Sequence, residues 1–296
     1  MNSERRGDIV TVSAFLTPTL FALAVFVAWP VLAAMRLSLF DWNGISPQMR
    51  FVGMDNWLRL FEDAVFWRAL ANNIAIVFLS FALQMPCALG LAVLLERGGR
   101  RLRLFKVFYF FPMLMSTVAI GILFKYALDP QFGVVNGALR GMGLERFART
   151  WLGDSRWALA SVVGVVSWQS IPFYMMLFLA ALVGIPGEVR EAALVDGATE
   201  WNYFWRIAFP MIRGTIRTAF VLSVIGSLKY FDLVWVMTEG GPAHASELMA
   251  TYMYKKAFMA FDMGYGSTVA SALFIVVLLA GILALGVSRR HGTEAA

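Results

Sequence analysis

The stretch EAALVDGATEWNYFWRIAFP, from Glu191 to Pro210, sets Glu191, Asp196, Glu200 and Arg206 between two long apolar segments. Its first half has the makings of a short helix. Val189, Ala192 and Ala193 fall on one narrow stripe of small apolar side chains, while Arg190, Glu191 and Leu194 point elsewhere. Glu188 sits in the first turn, where the helix dipole favours an anion. Gly197 then stops the helix, and Trp201, Tyr203, Phe204 and Trp205 lead on to Pro210. A face made of small side chains suits close approach by a soluble partner. An interfacial helix resting on lipid headgroups has the same pattern, so amphipathicity leaves both readings open.

Working outward, the flanking segments decide the class of the chain. Of 296 residues, 59% are hydrophobic and 15% charged, far from the quarter typical of soluble domains. Six segments approach the roughly 20 apolar residues that cross a bilayer: 11–35, 70–95, 105–128, 157–183, 209–237 and 264–288. The expected fold is therefore all-α and polytopic, with six transmembrane helices. Lys125 shortens the third segment, and Lys229 and Asp232 interrupt the fifth. Arg5 and Arg6 precede the first, but its uncharged run from Ile9 to Met35 outlasts a signal-peptide core of about 7–15 residues. It reads as a retained span.

Net charge is +6, yet the basic residues do not form a nucleic-acid surface. Arg97, Arg100, Arg101, Arg103 and Lys106 crowd the short turn after the second segment, and Arg289 and Arg290 follow the sixth. With Arg5 and Arg6 they share one side if six spans alternate, so both termini are expected in the cytoplasm. The loop 38–69 interleaves aromatics with charges, which suits short interfacial helices with tryptophans at headgroup level. The glycine-rich loop 129–156 predicts irregular chain with one short helix. In the sixth segment, Gly266 with Ala270 and Ser267 with Ser271 have the spacing of closely packed membrane helices. The single Cys87 forms no internal disulfide.

Returning to the charged stretch, Glu191-Ala192-Ala193, Gly197, Ile207 and Pro210 stand at the spacing of a known motif. They resemble the cytoplasmic EAA loop of permease subunits in binding-protein-dependent ABC importers, with Phe209 where that family usually has leucine. IPGEVREAALVDGAT, SLKYFDLVWVMTEGGP and FVGMDNW are similar to the carbohydrate-importing, MalF-like branch. The resemblance covers nearly the whole chain. It implies a type I ABC importer permease fold with a MetI-like core at 69–288, preceded by a tail, first helix and outer loop (1–68) and followed by a tail (289–296). It implies that the loop 188–210 is a coupling element, with Glu191, Ala192, Ala193, Asp196 and Gly197 meeting a separate ATPase. The implied complex holds a second permease of the MalF/MalG type, two ATPase subunits and a periplasmic or lipid-anchored solute-binding protein. It would lie in a bacterial cytoplasmic membrane and carry a sugar or sugar derivative. ATP and Mg would be bound by the ATPase, leaving this chain without a cofactor. Gly240, Gly241 and Pro242 would face the binding protein, although a plain turn accounts for them equally well.

The residues agree with that division of labour. No G-x-x-x-x-G-K-[ST] run exists to cradle phosphate. His244 and His291 are far apart and give neither a metal cluster nor a catalytic triad. A secondary transporter would commonly show paired repeats in its two halves, and none is evident. A membrane-embedded enzyme would need a catalytic constellation near the interface, and none is apparent. For the solute pathway, intramembrane charges are the first candidates. Lys229 and Asp232 are read on one helical face, either lining a cavity or neutralising each other as a structural pair. Tyr230 and Trp235 beside them offer aromatic faces for a sugar ring. Asn73, Gln84 and Gln169 are further polar candidates, and Pro172 in the fourth segment predicts a kink or break lining a cavity.

Overall fold

A computed structural model of the chain describes residues 15–98 and 103–290. Arg5, Arg6, Arg100 and Arg101 and both terminal tails lie outside the described residues, as do the side chains of Arg103, Arg289 and Arg290. The chain folds as helices, with one pair of two-residue strands among the described residues.

In chain order, α1 (Phe15–Leu37) is followed by β1 (Phe40–Asp41) and β2 (Arg50–Phe51), then α2 (Asp55–Glu62) and α3 (Ala64–Arg97). Next come α4 (Arg103–Leu114), α5 (Thr117–Ala127), α6 (Val134–Gly141) and α7 (Ala158–Val183). The charged stretch holds α8 (Gly187–Val195) and α9 (Glu200–Met211), and α10 (Arg213–Leu228) and α11 (Asp232–Thr238) follow. The last two are α12 (Met249–Tyr254, continuing as a π turn over Lys255–Met259) and α13 (Met263–Arg290).

Four of these, α1, α3, α7 and α13, are each long and apolar enough to cross a membrane. The other two expected spans are not straight helices. Residues 105–128 form α4 and α5, which meet at 100°, and the fifth segment enters through α9 and α10, which meet at 67°. Six spans result if each bent pair counts as one. The first bend has a local cause. Pro112 lies near the end of α4 and has no N–H to donate, and Ser116 adopts an extended backbone (φ −59°, ψ 132°) before α5 starts. Proline also explains two π turns. Ala24–Ala28 precedes Pro30, and Phe204–Ala208 precedes Pro210. The wider turn relieves the clash between the ring and the carbonyl one turn back. At Pro172 the expected break is not found, because α7 runs through it uninterrupted with the ring buried.

The chain divides into two compact units. The first comprises the described residues 15–66 with 252–275. Here β1 and β2 pair antiparallel in the register Phe40↔Phe51 and Asp41↔Arg50. Asn56 donates its amide to the carbonyls of Ser38 and Phe40, both at 3.0 Å, which ties α2 to the end of α1. Gly264 is needed at the start of α13, since a Cβ there would overlap the Phe40 carbonyl. Gly266 likewise meets Ala257, whose Cβ would be 2.6 Å from an added one, and Ser267 and Ser271 are buried. The small-residue spacing read from the sequence is thus a packing face. Asp63 caps α3 by accepting from the Val65 and Phe66 amides and receives hydroxyl hydrogen bonds from Tyr252 and, at 2.5 Å, Tyr265.

The second unit comprises 67–251 with 276–290. Its apolar interior has two centres. One gathers Met85, Ala88, Ala92 and Leu95 of α3, Tyr174, Phe178 and Leu182 of α7, and Phe204, Ala208 and Ile212. The other joins Ile76, Ile120, Val162, Val166, Leu233, Val234 and Leu248. The first centre lies under the charged stretch, and the second supports α11. The loop 129–156 carries the short helix α6, pinned by Asn136, whose side chain bonds Pro130, Arg149 and Trp151.

Candidate functional site

The charged stretch folds as a helical hook. α8 ends at Val195 with Asp196 as its cap, and Gly197 turns the chain with φ +80°, a left-handed conformation that glycine adopts without strain. The Gly197 amide bonds Leu194 O at 3.0 Å, and the Ala198 amide bonds Ala193 O at 2.9 Å. Thr199 then caps α9 by accepting from the Asn202 amide. No side chain fills the space where a Gly197 Cβ would stand. The turn therefore requires glycine for its backbone, not for room within the chain.

The exposed face of α8 differs from the stripe expected from sequence. Ala193 is only 6% exposed, and Val189 is half-buried, so these two turn inward. Ala192 faces out, together with Glu188, Glu191 and Val195, the last 86% exposed. The reason lies in the hook itself, because the bond from Ala198 to the Ala193 carbonyl folds the returning chain over that side of the helix. What remains open is a ridge at i, i+3, i+4 and i+7 with two carboxylates, a methyl and an apolar tip. Asp196 is exposed beside it.

Ion pairs that the sequence reading missed brace the hook. Glu200, on the first turn of α9, accepts from Arg190 of α8 at 2.6 Å and makes a longer ion pair, at 3.4 Å, with Arg97, the last residue of α3. Arg97 also donates to the Glu200 backbone carbonyl at 3.4 Å. The hydrogen bond to Glu200 holds the Arg190 guanidinium more firmly in its charged form, against its partial desolvation. Nothing in the spacing of Arg97, Arg190 and Glu200 reveals that they meet.

The second candidate region is the fifth segment, where the structure corrects the expectation of one continuous helix. α10 ends at Leu228, Lys229 caps it, Phe231 leaves helical geometry (φ −137°, ψ −60°), and α11 starts at Asp232. Lys229 and Asp232 therefore do not share a helical face, and no ion pair joins them. Each instead sits at the helix end whose dipole suits its charge, the cation at a C-terminus and the anion at an N-terminus. Both are exposed. Tyr230, in the break, is half-buried with its hydroxyl 3.1 Å from Ser170 Oγ. Phe231 and Trp235 stack at 5.7 Å with an interplanar angle of 10°.

The other polar candidates separate by what they touch. Asn73 is wholly buried, donates to Leu228 O at 3.1 Å and accepts from the Met249 amide at 2.9 Å. It clips the end of α10 to the start of α12. Gln84 is also buried, with Ser167 Oγ at 3.4 Å. Gln169 is partly exposed, 3.5 Å from Thr117 Oγ1. A groove of about 680 Å³ between α3 and α9, lined by Phe81, Met85, Leu89, Trp205 and Phe209, includes none of these residues and is apolar.

Gly240, Gly241 and Pro242 form a tight turn after α11, with Glu239 (φ +51°) leading into it. Glu247 folds back under Gly240, where an added Cβ would lie 2.5 Å from its carboxylate. That buried carboxylate accepts from Thr251 at 2.6 Å and pairs with His244 Nδ1 at 2.8 Å. Asn72 ties the same segment down through the carbonyls of Ala245 and Glu247. A cavity of about 400 Å³ opens beside the turn, lined by Lys125, Asp129, Glu239, Gly241 and Pro242.

The chain is thus a helical membrane protein with a glycine-hooked charged loop and a broken polar segment. The chain belongs to the binding-protein-dependent transport system inner membrane component family, whose model matches residues 84–291. It is 36% identical to the probable ABC transporter permease protein YurN of Bacillus subtilis, over 91% of this chain and 92% of that one. It is 33% identical to the lactose transport system permease protein LacF of Rhizobium radiobacter, over 91% and 90% of the two chains. With the diacetylchitobiose uptake system permease protein NgcF of Streptomyces coelicolor it shares 32%, over 94% and 82%. Its fold matches a chain of a bacterial ABC transporter involved in the import of the acidic polysaccharide alginate, with a TM-score of 0.82 at 24% identity over 97% and 98%. The protein is a transmembrane permease component of an ABC importer.

Proposed function

We propose that this permease carries a sugar or sugar derivative inward as one of two unlike permease subunits, driven by two separate ATPase subunits that bind ATP and Mg. The observation that carries the coupling half of this reading is the exposed ridge of α8, held out by the Gly197 turn and braced by Glu200. A nucleotide-driven closure of the ATPase pair would push on Glu191, Ala192 and Asp196 and move the helices that follow. In this topology both termini and α8 face the cytoplasm, and the turn at Gly240, Gly241 and Pro242 faces a periplasmic or lipid-anchored binding protein. The names of LacF and NgcF support a saccharide as solute.

For the pathway, the broken fifth segment supports Lys229, Tyr230, Asp232 and Trp235. Non-helical backbone at membrane depth is tolerated where it lines a cavity, and here it exposes two charges beside an aromatic stack. Gln169 is a secondary candidate. Asn73 and Gln84 act from behind, by fixing the ends of the break and the helix under it. The test is uptake of labelled lactose, diacetylchitobiose and related saccharides by cells with and without the gene. Loss of uptake of one saccharide, restored by the gene and dependent on the matching ATPase, is the expected outcome. Unchanged uptake of all of them, with loss of a non-saccharide solute, would overturn the sugar assignment.

A further inference from the structure

We infer that Glu200 is a transmission joint, a positioning residue that makes α8, α9 and the cytoplasmic end of α3 move as one body. This rests on the coupling role proposed for α8 and goes beyond it by naming the residues that pass its motion on. One carboxylate receives an arginine from each side, Arg190 of α8 on one oxygen and Arg97 of α3 on the other. Among the described residues, Arg190 carries the side-chain hydrogen bond by which α8 is held to the rest of the chain. Glu200 is itself fixed, since it occupies the first turn of α9, where the helix dipole and the Thr199 cap favour a carboxylate.

The three charged groups are each more than a third exposed, and such pairs add little to stability. Their geometry matters more than their energy. In sequence α8 and α9 are joined only by the Gly197 turn, and no covalent path shorter than the whole of α4 to α7 joins α8 to α3. Without Glu200, a push on α8 can be absorbed by rotation at Gly197. With it, the push reaches α3 at Arg97 and α9 together. Both helices contribute to the apolar centre formed by Ala92, Leu95, Phe204 and Ala208, so the displacement is delivered to packed spans.

The test uses the full importer complex in nanodiscs with MgATP and vanadate as the probe. The lone native cysteine, Cys87, is exposed and is first replaced by serine. Spin labels are placed at Leu194, which lies off the open ridge of α8, and at Leu94; the two are 44% and 62% exposed. With Glu200 intact, the distance between them stays narrow and unchanged on nucleotide trapping, because the two helices travel together. In Glu200→Gln the distance broadens or shifts, and stimulation of ATP hydrolysis by the binding protein falls about tenfold, within the ordinary range of coupling between sites. Full charge reversal, Arg97→Glu and Arg190→Glu with Glu200→Arg, recovers both readouts, which a loss of folding would not allow. Arg97→Gln removes only the arm to α3 and gives the same broadening, and it decides the matter if Glu200→Gln fails to assemble. An unchanged distance and unchanged stimulation in these variants overturns the joint. Gly197→Val in parallel separates the two ideas. If it abolishes stimulation while the Glu200 variants do not, α8 couples without the joint, and if it too is silent the coupling reading itself falls.

Discussion

Substitution of Gly197 tests whether the hook acts through its backbone or through the room it leaves for a partner. At φ +80° an L-residue suffers the left-handed penalty of about 1–2 kcal/mol, and asparagine and aspartate suffer least because their side chains bond locally. A Cβ meets nothing within 4 Å inside the chain, so no packing cost adds to that figure. Since 1.4 kcal/mol is tenfold, alanine should depopulate the hooked turn by up to roughly thirtyfold. Valine should be worse, because a branched side chain at positive φ is a true outlier. Backbone control therefore orders the variants glycine, asparagine, alanine, valine. Control by close approach of the ATPase would order them by bulk, with alanine ahead of asparagine. The assay is binding-protein-stimulated ATP hydrolysis by the assembled complex, normalised to the amount of complex. Alanine outperforming asparagine would refute the backbone argument, and a valine variant that couples normally would remove the hook from the mechanism.

Other residues give equally direct expectations. Because Lys229 and Asp232 are exposed and unpaired with each other, Asp232→Asn and Lys229→Gln should each leave assembly intact. Each should lower uptake if the break lines the pathway, whereas loss of assembly in either single variant would contradict the separated geometry. Replacing Asn73 by leucine strands the buried Leu228 carbonyl and Met249 amide, at about 1–3 kcal/mol for each unsatisfied group, and thermal unfolding in detergent should fall accordingly. Asp63 predicts an acid-sensitive contact. Burial opposes its ionisation, but the Tyr252 and Tyr265 hydroxyls and the Phe66 and Val65 amides together hold its carboxyl below the ordinary 3.8. A depressed folded value stabilises above the unfolded one and is lost as pH falls below it. Melting temperature should therefore decline below about pH 4, and Asp63→Asn should flatten that decline while lowering stability at neutral pH.

The spans, the charged stretch and the Gly197 stop were legible because each depends on local rules. A run of about 20 apolar residues has few places to go but lipid, and a glycine after a short amphipathic helix marks its end. The EAA spacing likewise survives in a string of letters, since it encodes one helix and one turn. The bends were less legible. Pro112 and Ser116 signalled the break between α4 and α5 in retrospect, yet Pro172 carried a similar signal within an unbroken α7. Proline only removes a hydrogen bond, and whether the chain bends there depends on what packs around it. Lys229 and Asp232 showed the same limit. Their spacing fits one helical face, but the chain breaks between them and leaves each charge at a helix end whose dipole suits it.

Sequence by itself determined the class of this protein, its apolar segments and the short charged helix that Gly197 ends, because hydropathy and turn chemistry act over a few residues. Only the tertiary structure decided which face of α8 is open, that Asn73 is a clip, and that Arg97, Arg190 and Glu200 converge. Those facts join positions up to 176 residues apart, as between Asn73 and Met249. Long side chains reach such partners only after packed helices have set their backbones, and no local pattern in the chain records that distance.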